Sequence, residues 1–423
     1  MLVRRSFACL SDGMALSLRS IGLLALGLAL AAGCGSPAPA AAAARPRPAT
    51  TSAEPTGPSP SPSPSPSPSP SPTASPTPTP DPTPSPTAAS SADLAGQRIV
   101  YSYPGTTPPA ALLQRIREGR VAGVIFFAEN VGNDPFVLRN AVDQLRQAEQ
   151  QSPHPRPLLL MTDQEGGLVR RLPGGPAQSA KDVGRAADPT AAATRTGGEA
   201  AATLSGYGLN LNLAPVLDVY RTPGDFADSA QRSYSTDPAT VGKLGSAFIK
   251  AQQTAGVAAT AKHFPGLGSA PAGANTDEEP VTLTLPLDQL RAVDERPYRD
   301  AVAAEVKLVM LSWAIYPALD PAHPAGMSGT VVREELRGRL AYRGVTVTDA
   351  LEAKALDPVG GTSKRALAVA EAGVDLILCS ARDVAQGDQA AAALASALDA
   401  GDLDREAFTA SATRVDALRD SLK

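Results

Sequence analysis

The residues of this chain best equipped for chemistry lie in the run Ala261-Lys262-His263-Phe264-Pro265-Gly266-Leu267-Gly268. A cation and an imidazole stand side by side, and both can donate hydrogen bonds to a ligand. Gly266 and Gly268 let the backbone bend where a side chain would clash. Two further motifs have the same form, an apolar run ending in a carboxylate: Leu158 to Thr162 before Asp163-Gln164-Glu165-Gly166-Gly167, and Gly344 to Thr348 before Asp349. Asp218, Trp313 and the pair Arg232-Ser233 complete the set of polar or aromatic candidates.

Residues so far apart must be brought together by the fold. Short apolar runs recur at Arg98–Tyr103, Gly123–Phe127, Pro157–Thr162, Leu209–Leu213, Val257–Ala261, Leu308–Ser312, Val345–Thr348 and Leu376–Cys379. Amphipathic stretches separate them, among them Pro135–Glu149, Thr190–Gly206, Pro238–Gly256 and Leu287–Ala304. Near-continuous apolar strands alternating with helices imply a parallel sheet covered by helices. Eight such units imply an α/β fold, a (β/α)8 TIM barrel in one domain. Asp163, Asp218, Lys262-His263, Trp313 and Asp349 each fall at or just after a strand end, and in this fold such residues converge on one mouth.

Taken together, the three motifs resemble those of the glycoside hydrolase family 3 β-N-acetylglucosaminidases, over essentially all of the chain from about Gly96 onward. Cleaving a glycosidic bond needs one group to protonate the leaving oxygen and another to stabilise the oxocarbenium-like transition state. The resemblance implies that Asp349 is the nucleophile of a retaining reaction, and that Asp163, Arg232, Lys262 and His263 bind the sugar. Glu165 is read as holding neighbouring groups and Asp218 as organising the site. Trp313 is left between stacking on a sugar and packing. The implied reaction is removal of terminal β-linked N-acetylglucosamine, with no metal or organic cofactor.

The chain departs from that family at the acid. An Asp-Ser-His triplet is expected after the lysine-histidine turn; Asn275-Thr276-Asp277 stands there instead. Leu267 also occupies a place that is usually histidine, and the only histidines are His154, His263 and His323. Asp277 is therefore the expected acid/base, with Glu278 or Glu279 as substitutes. The alternatives are a phosphorolytic or β-glucosidase relative, and a cell-wall sugar-binding protein that has lost catalysis.

The ends carry targeting signals. Ile21 to Ala32 is apolar but shorter than the about 20 residues of a membrane span. Residues 1–33 read as a signal peptide whose Ala31-Ala32-Gly33-Cys34 resembles a lipobox, with Cys34 lipidated and Met14 as an alternative start. Residues 34–92, rich in Pro, Ser, Thr and Ala, have little to bury and read as an extended stalk. Residues 93–423 form the catalytic domain. The expected place is outside the cell membrane, anchored through lipid or secreted, with glycan derived from peptidoglycan as substrate. A net charge of -4 without a basic patch gives no pointer to nucleic acid, and no Cys/His cluster suits zinc. Cys379 reads as a buried thiol at a strand end.

Overall fold

The computed structural model describes residues 89–132 and 134–422. The signal segment, Cys34 and the stalk up to residue 88 lie outside the described residues, and the end of the expected stalk is instead folded: Ser90 caps a helix over Ser91–Gly96, its Oγ accepting from the Asp93 amide. Eight parallel strands form one sheet: β1 (Ile99–Tyr101), β2 (Gly123–Ile125), β3 (Leu159–Thr162), β4 (Leu211–Asn212), β5 (Ala258–Phe264), β6 (Leu308–Leu311), β7 (Val345–Thr348) and β8 (Ile377–Leu378). Each pairs with its sequence neighbour, and β8 pairs with β1. A parallel bridge between Val347 and Leu376 joins β7 to β8 and closes the ring. The fold is the expected (β/α)8 barrel.

Strand alternation builds two cores. Val100, Ile125, Leu159, Met161, Leu308, Met310, Val345 and Val347 fill the interior, while Ile99, Tyr101, Val124, Leu160 and Val309 pack outward against helices. Burial on both faces is why the strands read as unbroken apolar runs. Val415, Leu418 and Leu422, from the last helix (Arg405–Ser421) and the residue after it, join the interior core at the N-terminal ends of the strands. The mouth at the other end is left free.

Three major helices begin with the same dipeptide: Asp134-Pro135, Asp188-Pro189 and Asp237-Pro238. In each, the aspartate accepts from a first-turn amide, that of Phe136, Ala191 or Thr240, at 2.9, 3.0 and 2.9 Å. Proline follows where a missing N–H costs nothing. The stretch Leu287–Ala304 is not the single helix expected. It runs as Leu287–Gln289, a π-helical turn Leu290–Asp294, and Arg296–Ala303. Pro297 cannot donate to an earlier carbonyl, so a new helix starts there.

The closing seam depends on Asp375, fully buried just before β8. It accepts from Arg337 (2.5 Å), from Arg414 (2.8 Å) and from the Thr346 amide (2.8 Å). Asp375→Ala leaves two guanidinium groups without their acceptor and is expected to destabilise the protein by about 3–5 kcal/mol. Breaking the exposed Arg195–Glu199 pair should cost under about 1 kcal/mol. Urea unfolding of the two variants side by side measures the difference.

Candidate active site

The strand ends open into a cavity of about 820 Å³ at the mouth. Asp163, Glu165, Arg232, Lys262, His263, Asp277 and Asp349 all line it. The six residues singled out for catalysis and sugar binding are thus brought together, with Glu165 beside them.

One wall is a charge cluster. Lys262 Nζ lies 2.7 Å from both Asp163 Oδ1 and Glu165 Oε1. Glu165 also takes a bidentate pair of bonds from Arg232, Nε to Oε2 at 2.9 Å and Nη2 to Oε1 at 2.8 Å. Burial alone would strip the proton from Lys262, but Asp163 and Glu165 outweigh it and hold the ammonium above its ordinary range. The same burial would neutralise Glu165; Arg232 and Lys262 outweigh that and keep its carboxyl well below the usual carboxylate range. Glu165, Lys262 and Arg232 therefore stay ionised by compensating one another.

Local structure sets these positions. Lys262 and His263 lie inside β5, which runs on to Phe264, rather than in a turn after it. The pairing of β5 with β6 shifts register between Ala261 and Phe264. Gly266 follows with φ of +142°, and a Cβ there would sit 2.8 Å from that of Asp294. A Cβ on Gly268 would run into the Val219 carbonyl. After β3, the buried Gln164 pegs the hairpin that carries Glu165, accepting from the amides of Arg171 (3.1 Å) and Leu172 (3.0 Å).

Asp218 organises the site from behind. Its carboxylate accepts from His263 Nδ1 at 2.8 Å and from the amides of His263 (3.2 Å) and Leu267 (2.8 Å). A carboxylate here can only accept, so Nδ1 carries a proton, and Nε2 is left facing Arg232 Nη2 at 3.4 Å. Trp313 is 1% exposed and does not line the cavity; its Nε1 donates to the Ala350 carbonyl at 2.8 Å, beside Asp349. It supports the β7 loop by packing. Cys379 is buried, and burial pushes its thiol well above the usual range.

Opposite the charge cluster stand Asp349 and Asp277. Asp349 accepts from the Ala350 amide at 2.8 Å and forms no ion pair among the described residues. Asp277 is an exposed residue that lines the cavity. Its pKa is pushed up to about 6, by burial and by the neighbouring Asp349 charge. The loop carrying it is pinned to the segment after β7: the amides of Lys354 and Ala355 donate to the carbonyls of Asp277 (3.2 Å) and Thr276 (3.1 Å). Glu278 points away, paired with Lys354 at 2.7 Å, and neither it nor Glu279 lines the cavity. Phe127, Glu129, Arg171, Glu352 and Arg382 also line it and were not singled out from sequence. Arg171 and Glu352 lie within a few residues of the Asp163 and Asp349 motifs, which is the one signal that pointed to them.

The glycosyl hydrolase family 3 N-terminal domain is matched by residues 102–418. The chain belongs to glycosyl hydrolase family 3. It is therefore a glycoside hydrolase acting on O-glycosyl bonds. An uncharacterized secreted glycosyl hydrolase of Arthroderma benhamiae is 45% identical over 78% of this chain and 93% of its own length. A β-hexosaminidase of Stenotrophomonas maltophilia is 35% identical over 65% and 80%. Among solved structures, a family 3 β-N-acetylglucosaminidase from Paenibacillus matches with a TM-score of 0.74 and 32% identity. That match covers 79% of this chain and 63% of the Paenibacillus protein.

Replacing Glu165 by glutamine keeps its shape and removes the charge that aligns Arg232 and Lys262. A misplacement of about 1 Å in such a clamp costs about 10²-fold in rate. Glu165→Gln is thus expected to lower kcat/KM by about that factor, measured on a glycoside that the wild type cleaves.

Proposed function

We propose that this family 3 enzyme is an exported β-N-acetylhexosaminidase that removes terminal β-linked N-acetylglucosamine with retention of configuration. The observation that carries the reading is the pairing, in one cavity, of an aspartate free of cations, Asp349, with a second, Asp277, that keeps its proton near pH 6. The charge cluster of Asp163, Arg232 and Lys262, with His263, supplies acceptors and donors for the hydroxyls of the sugar being cleaved.

In the first step the Asp349 carboxylate bonds to the anomeric carbon as the glycosidic C–O bond breaks, and Asp277 gives its proton to the departing oxygen. In the second, Asp277, now a carboxylate, takes a proton from water as that water attacks the same carbon. The bond to Asp349 breaks and both aspartates return to their starting forms. The relatives described as β-hexosaminidase and β-N-acetylglucosaminidase support the choice of sugar. The relative described as secreted, and the apolar run before Cys34, support export. Lipidation at Cys34 and the stalk that follows it would hold the barrel among cell-wall strands, which makes peptidoglycan-derived sugar the natural substrate.

An aryl β-N-acetylglucosaminide with a good leaving group separates the two aspartates, because its departure needs little protonation. Asp349→Ala is expected to release no phenol. Asp277→Asn is expected to give a burst of one equivalent followed by turnover slowed about 10²–10⁴-fold, with a glycosyl-enzyme visible by intact mass. Full turnover by Asp277→Asn would remove it as acid/base. Sugar binding without any phenol release from wild type would favour the binding-protein reading.

A further inference from the structure

We propose that Phe127, Arg382 and Glu352 form a subsite for the leaving group, built to hold a second sugar ring rather than a simple aryl or alkyl group. This rests on the glycosidase reading above and concerns the same cavity. The groups assigned to the cleaved sugar come from β3, the loop after β4, and β5. In a closed ring of eight strands, β7, β8 and β1 lie across from β3, β4 and β5 and form the opposite arc. Glu352 follows β7 and Arg382 follows β8, while Phe127 follows β2, the strand beside β1. All three line the cavity, and none has a part in the steps described above.

The Arg382 side chain is 53% exposed, but it is oriented. Its guanidinium carbon lies 4.7 Å from the centroid of the Phe127 ring, and its Nε lies 3.4 Å from Glu129. Its backbone adopts φ of +58°, a left-handed conformation that a non-glycine residue keeps only when its surroundings impose it. Here the buried Ser102 does so in part, its Oγ accepting from the Arg382 amide at 2.8 Å. The contact with Glu129 is an ion pair between exposed side chains, which leaves the guanidinium N–H donors for a ligand.

Two residues upstream, Ser380 fixes the third member. Glu352 accepts from the Ser380 hydroxyl (2.7 Å), from its amide (3.2 Å) and from Gln386 Nε2 (3.2 Å). A carboxylate has about four lone-pair sites. Three donors leave one site open on a side chain that is already oriented. A stacked aromatic–guanidinium pair suits the C–H face of a pyranose, spare N–H donors suit its ring and hydroxyl oxygens, and a carboxylate with one open site suits a hydroxyl donor. An aryl leaving group satisfies only the first of these.

The test compares full-length wild type, Arg382→Ala and Glu352→Gln on an aryl β-N-acetylglucosaminide and on the β-1,4-linked N-acetylglucosamine disaccharide. Each variant is expected to lose about tenfold or more in kcat/KM on the disaccharide relative to its own loss on the aryl substrate. Equal losses on both substrates, as a merely structural role would give, overturn the subsite, and so does full activity on the disaccharide. Wild type inert on both substrates overturns the glycosidase reading, a result distinct from either.

Discussion

Lys262 is a buried cation at the mouth of a barrel, and it stays charged only because two carboxylates meet it there. The site is organised around that requirement. Asp163 comes from the end of β3 and Glu165 from the hairpin behind it, so the ammonium ties β3 to β5. Glu165 then has its own charge to share and draws in Arg232 from the loop after β4. The result is a neutral quartet whose members are each oriented by the others, with His263 held alongside by Asp218. Such a cluster offers a neutral, hydroxyl-rich ligand an array of donors and acceptors already in place.

The opposite wall works by a different rule. Asp349 and Asp277 form no ion pair among the described residues, and the Asp349 charge acts on Asp277. With burial it raises the pKa of Asp277, on the loop, to about 6. Backbone bonds pin that loop to the segment after β7, the strand that leads into Asp349. In the proposed reaction, electrostatics between carboxylates take the part of the histidine missing from the family pattern.

The barrel was legible because strands buried on both faces must be apolar throughout, and all eight were found by that signal. The charge cluster was legible as motifs at strand ends, although Lys262 and His263 belong to β5 itself, where their polarity had disguised the strand. The break in Leu287–Ala304 was signalled by Pro297 and was still read through. Loop geometry was the part that sequence could not carry. Asp277, Glu278 and Glu279 are three successive acids, and only the fold separates the one facing the cavity from the one paired with Lys354. Phe127 and Arg382 belong to no motif, since their proximity exists only once β2 and β8 flank β1. Trp313 was ambiguous for the same reason, until its bond to the Ala350 carbonyl placed it behind the site.

The central claim, that Asp277 delivers the proton to the leaving group, is tested most directly by the pH dependence of kcat/KM on a disaccharide whose departure needs that proton. An acid with its pKa raised to about 6 is protonated below that pH and works there, and its contribution is lost as pH rises. The account predicts a falling limb near pH 6 in the wild type, weak or absent with an activated aryl substrate, and gone in Asp277→Asn. A limb that survives unchanged in Asp277→Asn would contradict it and assign the proton to another group.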